Sequence, residues 1–196
     1  WYTPSVRACA VDWLILVSKS HSVRDPHVMH LAVHYVDAFT RTCAYDRTDL
    51  ELVLLTCLWI ACKVELDGNV TIGQMLKWFP RSNTASMRRR VLSLEVFIVA
   101  ALDGRLLRRN PLVAISEQCA VDAWRLRAEE VALVCLYDDT YLRCDTETLA
   151  TACLQVACGL LIQTSDAGVV HSMRRAACTA RMLQTHAAHP WTVLAD

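Results

Sequence analysis

Residues 52–62, LVLLTCLWIAC, constrain the fold of this chain more than any other segment. They contain no charged side chain, and the run ends only at Lys63. A helix that is apolar on every side must be surrounded by other helices. We therefore predict a helix from about residue 48 to residue 63 at the centre of a helical bundle.

The rest of the sequence also indicates helices. Only five Gly and five Pro are spread over 196 residues, and 54% of the residues are hydrophobic. Such a composition is typical of a mostly helical protein with a sizeable core. Asp25 followed by Pro26 predicts a helix N-terminus. The first half has further apolar lines at helical spacing in residues 5–19, 24–42, 69–79 and 83–102.

The helical pattern starts again after Gly104 and Pro111 and predicts a second bundle. The segment ACLQVAC (152–158) repeats TCLWIAC (56–62) at both Cys, Leu and Ala, and each copy lies in the third, most apolar helix of its half. We predict an all-α fold of two tandem five-helix bundles, with domains at 1–107 and 108–196. The helices expected in the second half cover residues 111–125, 127–142, 145–163 and 169–187.

Charge and cysteine usage exclude several classes of function. Twenty basic residues balance twenty acidic ones, so no net field attracts nucleic acid or an anionic membrane. No apolar run reaches the roughly 18 residues of a membrane span, and no secretory signal is visible. The ten cysteines lack C-x-x-C or zinc-finger spacing, so we expect buried thiols in an intracellular protein.

No motif in the sequence indicates a metal, a cofactor or catalysis. His30 and His34 have the spacing of a zinc helix, but the adjacent glutamate and a third ligand are missing. The residues MRRRV (87–91) could form a basic patch, although such a run usually lies on a solvated face. Cysteine and histidine could form a nucleophilic pair, but no local motif supports one.

Lys63 ends an apolar run, and Glu95, of opposite charge, is the only charged residue between Val91 and Leu102. Lys63 could extend to water at the end of its helix, where a cation also suits the helix dipole. It could instead pair with Glu95 inside the bundle, an arrangement that gains little after desolvation. In the third alternative both groups lie at the edge of an apolar surface and bind the backbone of a partner protein.

The order of these segments resembles a cyclin box. VRACAVDWLILV, HLAVHYVDAF, LELVLLTCLWIACKVE and LSLEVFIVAALDGRL are similar to its successive helices over about residues 5–107. The second half resembles the second cyclin box in helix number and length only. With its many cysteines and altered docking residues, the sequence resembles a herpesvirus-encoded cyclin more than a cellular one. The positions that characterise the family are Arg7, Asp37, Leu52, Lys63 and Glu95.

The resemblance implies a role for each pair of charges. It implies that Arg7 and Asp37 form a buried ion pair, although Asp37 shares a stripe with three histidines. It also implies that Lys63 and Glu95 bind the main chain of a cyclin-dependent kinase just before its C-helix.

Apolar neighbours would complete this kinase-binding surface. The resemblance implies that Val64 and Val99 pack on the C-helix.

The resemblance further implies a docking groove for substrates and inhibitors that has decayed here. Ala10 stands where a leucine lines the groove, and Leu16 replaces the acidic residue expected three places after Trp13. We expect a shallower groove, formed by Val6, Ala10, Trp13, Leu50 and Glu51.

The expected function follows from the resemblance. The chain would be a regulatory subunit, not an enzyme, that binds and activates a cyclin-dependent kinase as a heterodimer and promotes cell-cycle progression. We expect it in the nucleus and cytoplasm of the host cell, without cofactor, nucleic acid or membrane, and with reduced sensitivity to groove-docking inhibitors. The alternative is a two-box helical transcription factor or adaptor. Transcription factors of that kind need a basic surface, whereas this chain is neutral.

Overall fold

The computed structural model describes residues 2–20, 23, 25–43, 49–66, 70–77, 85–138 and 144–158. These residues form helices and no strand, so the predicted all-α class is confirmed. None of the described helices is both long and apolar enough to cross a membrane. The helices are α1 (Pro4–Ser20), α2 (Pro26–Thr42), α3 (Leu50–Glu65), α4 (Ile72–Leu76), α5 (Ala85–Ala101), α6 (Pro111–Gln118), α7 (Asp122–Cys135) and α8 (Thr146–Ala157).

Helix α3 lies at the centre of the first part of the fold, as its sequence predicts. Twelve of its sixteen residues are buried. It packs against α2, α4 and α5, and α5 also packs against α2 and α4. These neighbouring helices therefore cover apolar surface of α3 that would otherwise face water.

The chain forms two compact units. The first contains Asp12–Arg108, and the second contains Tyr2–Val11 together with the chain from Arg109 onward. In the second unit α6, α7 and α8 pack on one another around a core of Leu112, Ile115, Leu149 and small residues. The predicted helix over 169–187 lies outside the described residues. The predicted boundary between the two bundles, after residue 107, stays a prediction.

The structure corrects the predicted helix over 111–125. Helix α6 ends at Gln118 because Cys119 has an extended backbone, and α7 begins separately at Asp122. The sequence has neither Gly nor Pro at this break. The next helix also ends early, at Cys135 rather than near residue 142.

The helix termini follow their capping residues. Asp25 accepts the backbone N–H of His27 at 2.8 Å ahead of Pro26, as predicted. After α5 the chain turns through Asp103 and Gly104, both with positive φ, and the Gly104 N–H donates to the Val99 carbonyl. Glycine adopts this conformation without steric cost.

The cysteines are less uniformly buried than we predict from sequence. Cys57, Cys62, Cys135 and Cys153 are buried, whereas the other five described cysteines are half-buried, and none of the nine forms a disulfide. Burial raises the pKa of Cys62 to about 12, with a further contribution from Asp25. Its thiol therefore stays protonated and unreactive near neutral pH.

Two side chains of the stripe that Asp37 shares with the histidines of α2 are buried. His30 and Asp37 each expose only 3% of their surface. Burial, and to a lesser degree the charge of His27, lowers the pKa of His30 to about 3. Burial and then Arg108 and Arg41 lower the pKa of His34 to about 4.

His30 should make the protein acid-sensitive. A histidine whose pKa is lower in the folded state binds its proton more readily when unfolded, so stability is lost as the pH falls below about 6.5. The slope for one such group is at most about 1.4 kcal/mol per pH unit. Between pH 6.5 and 5, His30→Gln should lose stability with a clearly smaller slope in chemical unfolding. If the unfolding free energy of both proteins falls with the same slope against pH, the burial of a neutral His30 is contradicted.

Candidate protein-binding surface

Lys63 and Glu95 form an ion pair at the surface of the first unit. Lys63 is in the last turn of α3, and Glu95 is in the middle of α5, which packs against α3. The Lys63 Nζ contacts the Glu95 Oε1. The side chains expose 35% and 19% of their surface, so the pair lies at the edge of the bundle and not in its core.

This geometry combines two of the alternatives that the sequence left open. The ammonium group of Lys63 reaches partly exposed space at a helix end, and it also contacts Glu95. Partly exposed ion pairs contribute only about 0–1 kcal/mol to stability. The role of both residues in binding a partner stays a prediction.

Trp59 supports the Lys63 side chain and was missed by our sequence reasoning. It lies one turn before Lys63, and the Lys63 Nζ is 5.2 Å from the centre of its ring, within cation–π range. The indole Nε1 is buried and has no hydrogen-bond partner among the described residues. The i, i+4 spacing of the two residues was the available signal.

Exposed apolar side chains on α5 continue the surface beside this ion pair. Leu92 and Val96 are exposed, Val96 by 71%, and Val99 is half-buried. Their spacing of four and three residues places them in one stripe, which also includes Glu95. Val64 is half-buried next to Lys63 in the sequence. An apolar stripe with a charged pair at its edge is typical of a protein-binding surface.

Arg7 and Asp37 are both buried, each in its own unit. The Arg7 Nη1 donates to the Leu136 carbonyl at 2.5 Å, a partner that the sequence did not reveal. Asp37 is 3% exposed on α2, and its negative charge adds to burial in raising the pKa of Cys57. The ion pair between Arg7 and Asp37 stays a prediction.

The residues predicted for the docking groove differ in exposure. Ala10, Trp13 and Leu50 are buried, whereas Val6 and Glu51 are half-buried. Leu16, in the position of the expected acidic residue, is 54% exposed. The groove itself stays a prediction.

The structure also shows what surrounds the two histidines with zinc-helix spacing. The His34 Nδ1 is 2.7 Å from the Arg108 Nη1, so this ring nitrogen accepts a hydrogen bond from a cation. Across the described ranges, no three His, Cys, Asp or Glu side chains are grouped to hold a metal ion.

The first half of the chain matches a known family. The family model described as cyclin, N-terminal domain, matches residues 2–107, which include α1 to α5 and the Lys63–Glu95 pair. The chain belongs to the cyclin family. It is 30% identical to cyclin-A1-2 of Arabidopsis thaliana over 102 residues, 52% of this chain and 22% of that protein. It is 26% identical to human cyclin-A2 over 160 residues, 79% of this chain and 36% of that protein.

A further relative and a solved structure extend the comparison. The chain is 32% identical to the G1/S-specific cyclin-E of Drosophila melanogaster over 101 residues, 51% of this chain and 14% of that protein. It thus spans about a third or less of the length of these three relatives. The crystal structure of a viral cyclin from herpesvirus saimiri matches 97% of this chain and 88% of that chain, with a TM-score of 0.70 and 13% identity. This match shows that the chain has the cyclin fold.

Proposed function

We propose that this chain is a regulatory subunit that binds and activates a cyclin-dependent protein kinase. The observation that carries the proposal is the partly exposed Lys63–Glu95 pair beside the apolar stripe of α5. Family membership supports the same function, because the matching family model covers both charged residues.

The ion pair is suited to binding a peptide backbone. An ammonium group has three donors and a carboxylate has two oxygens, so contact between Lys63 and Glu95 leaves capacity on both groups. A kinase carbonyl can then accept from Lys63, and a kinase N–H can donate to Glu95. The contact between the two side chains, together with the Trp59 ring, also limits their motion before binding.

Activation would follow from selective binding. Phosphoryl transfer in kinases requires a Lys–Glu pair, whose glutamate is on the C-helix, and an ordered activation loop. A rigid bundle that binds only the inward position of the C-helix shifts the kinase towards its active state. In this mechanism Leu92, Val96, Val99 and Val64 bury apolar surface against the kinase helix, and the chain supplies no catalytic group.

The two-box transcription factor or adaptor is the alternative. A DNA-binding surface needs an excess of positive charge, whereas this chain has twenty basic and twenty acidic residues. The surface beside the ion pair is apolar, which favours a protein partner. We also propose cell-cycle progression as the process served, a viral origin, and a location in the nucleus and cytoplasm of the host cell.

Mixing the protein with purified cyclin-dependent kinases tests the proposal. Phosphorylation of a histone-type peptide by at least one kinase of a small panel should rise by orders of magnitude. Val96→Asp, which places a charge in the apolar stripe, should abolish the increase. Val121→Asp, at an exposed valine in the second unit, should leave the increase intact. If phosphorylation increases with no kinase of the panel, the proposal is wrong.

Reduced sensitivity to groove-docking inhibitors is a further part of the proposal, and it rests on two sequence positions. Compared with a fully buried leucine at this position, Ala10 lacks apolar contact worth roughly 1.5–3 kcal/mol. Leu16 removes a carboxylate for the basic residue of a docking peptide. Docking-motif peptides should therefore bind about two orders of magnitude more weakly than to a cellular cyclin. Equal affinities in fluorescence anisotropy would contradict this prediction.

A further inference from the structure

The side of α5 turned away from Glu95 borders a separate cavity. The cavity has a volume of about 600 Å³ and its described lining consists of Leu52, Ser86, Arg89, Arg90, Ser93, Leu94 and Phe97. The cavity is wide open towards solvent, with a volume within the range of about 300–1,000 Å³ that is common for ligand pockets. The lining includes neither the ion pair nor the residues of the predicted docking groove, so the cavity is a different site.

The helical spacing explains why these side chains meet. Ser86, Arg90, Ser93 and Phe97 follow one another at intervals of four, three and four residues, which places them on one stripe of α5. Leu52 of the central helix and Leu94 are buried and form the apolar floor. Phe97 is 48% exposed, and its ring packs edge-on against Phe39 with 5.7 Å between the centroids.

The charged groups of the cavity lining are two arginines, and among the described residues Asp49 is the one acidic group that binds either of them. The Arg90 Nη2 donates to the Asp49 Oδ1 at 2.7 Å. The Arg89 Nε donates to the Ala85 carbonyl at 3.4 Å, a weak bond within its own helix. The remaining guanidinium N–H groups of Arg89 are the strongest donors available to a bound anion, because a guanidinium binds a carboxylate in a bidentate fashion.

We propose that this cavity binds an acidic segment of a partner protein. A carboxylate of that segment is bound by Arg89, and the hydroxyl groups of Ser86 and Ser93 provide further donors. An apolar side chain next to the carboxylate packs on Phe97 and Leu94. Charge complementarity selects this partner, since the two arginines carry more positive charge than Asp49 balances.

The Asp49 carboxylate competes with such a ligand. It occupies Arg90 from within the chain, yet it makes no side-chain capping bond at the start of α3. Asp49→Asn should therefore leave the helix intact and make Arg90 available to the bound segment. A residue with a purely structural role would not increase binding when it is neutralised.

The experiment measures binding of a fluorescein-labelled peptide of alternating glutamate and leucine to the full chain at low salt. The peptide should bind with a dissociation constant below about 1 mM, and its glutamine version should bind about tenfold more weakly. Arg89→Gln should weaken binding about tenfold, and Asp49→Asn should tighten it about threefold or more. Arg88→Gln removes a charge from the same run of arginines but from outside the cavity lining, and should change the affinity less than about twofold.

Two results would overturn the proposal. Equal losses in Arg88→Gln and Arg89→Gln would show a general attraction between a basic helix and an acidic peptide. Absence of binding, or equal binding of the glutamate and glutamine peptides, would show that the cavity has no preference for an acidic segment. Kinase activation is measured in a separate assay and is proposed to depend on Lys63, Glu95 and the apolar stripe, so neither result decides it.

Discussion

Burial of α3 on all sides is the constraint from which the arrangement of the first unit follows. Each large apolar side chain removed from water contributes about 1.5–3 kcal/mol, and twelve residues of this helix are buried. The Lys63–Glu95 pair contributes about 1 kcal/mol or less, since both side chains are partly exposed. The core therefore stabilises the unit, and the ion pair adds little to that stability.

Helix α5 connects this core with two different surfaces. Its buried residues Val91, Leu94 and Ile98 pack inward. One exposed side has Glu95 and the apolar stripe from Leu92 to Val99, which suits a helix of a partner protein. The other exposed side has the arginines and serines of the cavity, which suit an acidic segment. The lining of the cavity shares no residue with the stripe of Leu92, Val96 and Val99, although Arg89 lies one turn before Leu92 on the same helix.

The sequence predicted the features that depend on helical periodicity and capping, but not those that depend on tertiary contacts. The central position of α3 and the Asp25 cap were predictable, because apolar runs and capping residues act locally. Burial of His30 was not predictable, since its position in the helix looks polar. The break after Gln118 has no Gly or Pro signal. The contact of Lys63 with Glu95 depends on how α3 and α5 pack, whereas the position of Lys63 over Trp59 follows from their i, i+4 spacing on α3.

We propose that Lys63 and Glu95 bind a partner and contribute little to the stability of the fold, and a comparison of three variants separates the two roles. Kinase affinity and unfolding free energy are measured for Lys63→Ala, Glu95→Ala and Arg109→Ala, the last of which removes two exposed ion pairs of the second unit. The first two variants should lose about 2–4 kcal/mol of kinase binding and less than about 1 kcal/mol of stability. Arg109→Ala should change neither by more than about 1 kcal/mol. If Lys63→Ala and Glu95→Ala melt several degrees lower and still bind the kinase normally, the pair is structural and does not bind the kinase.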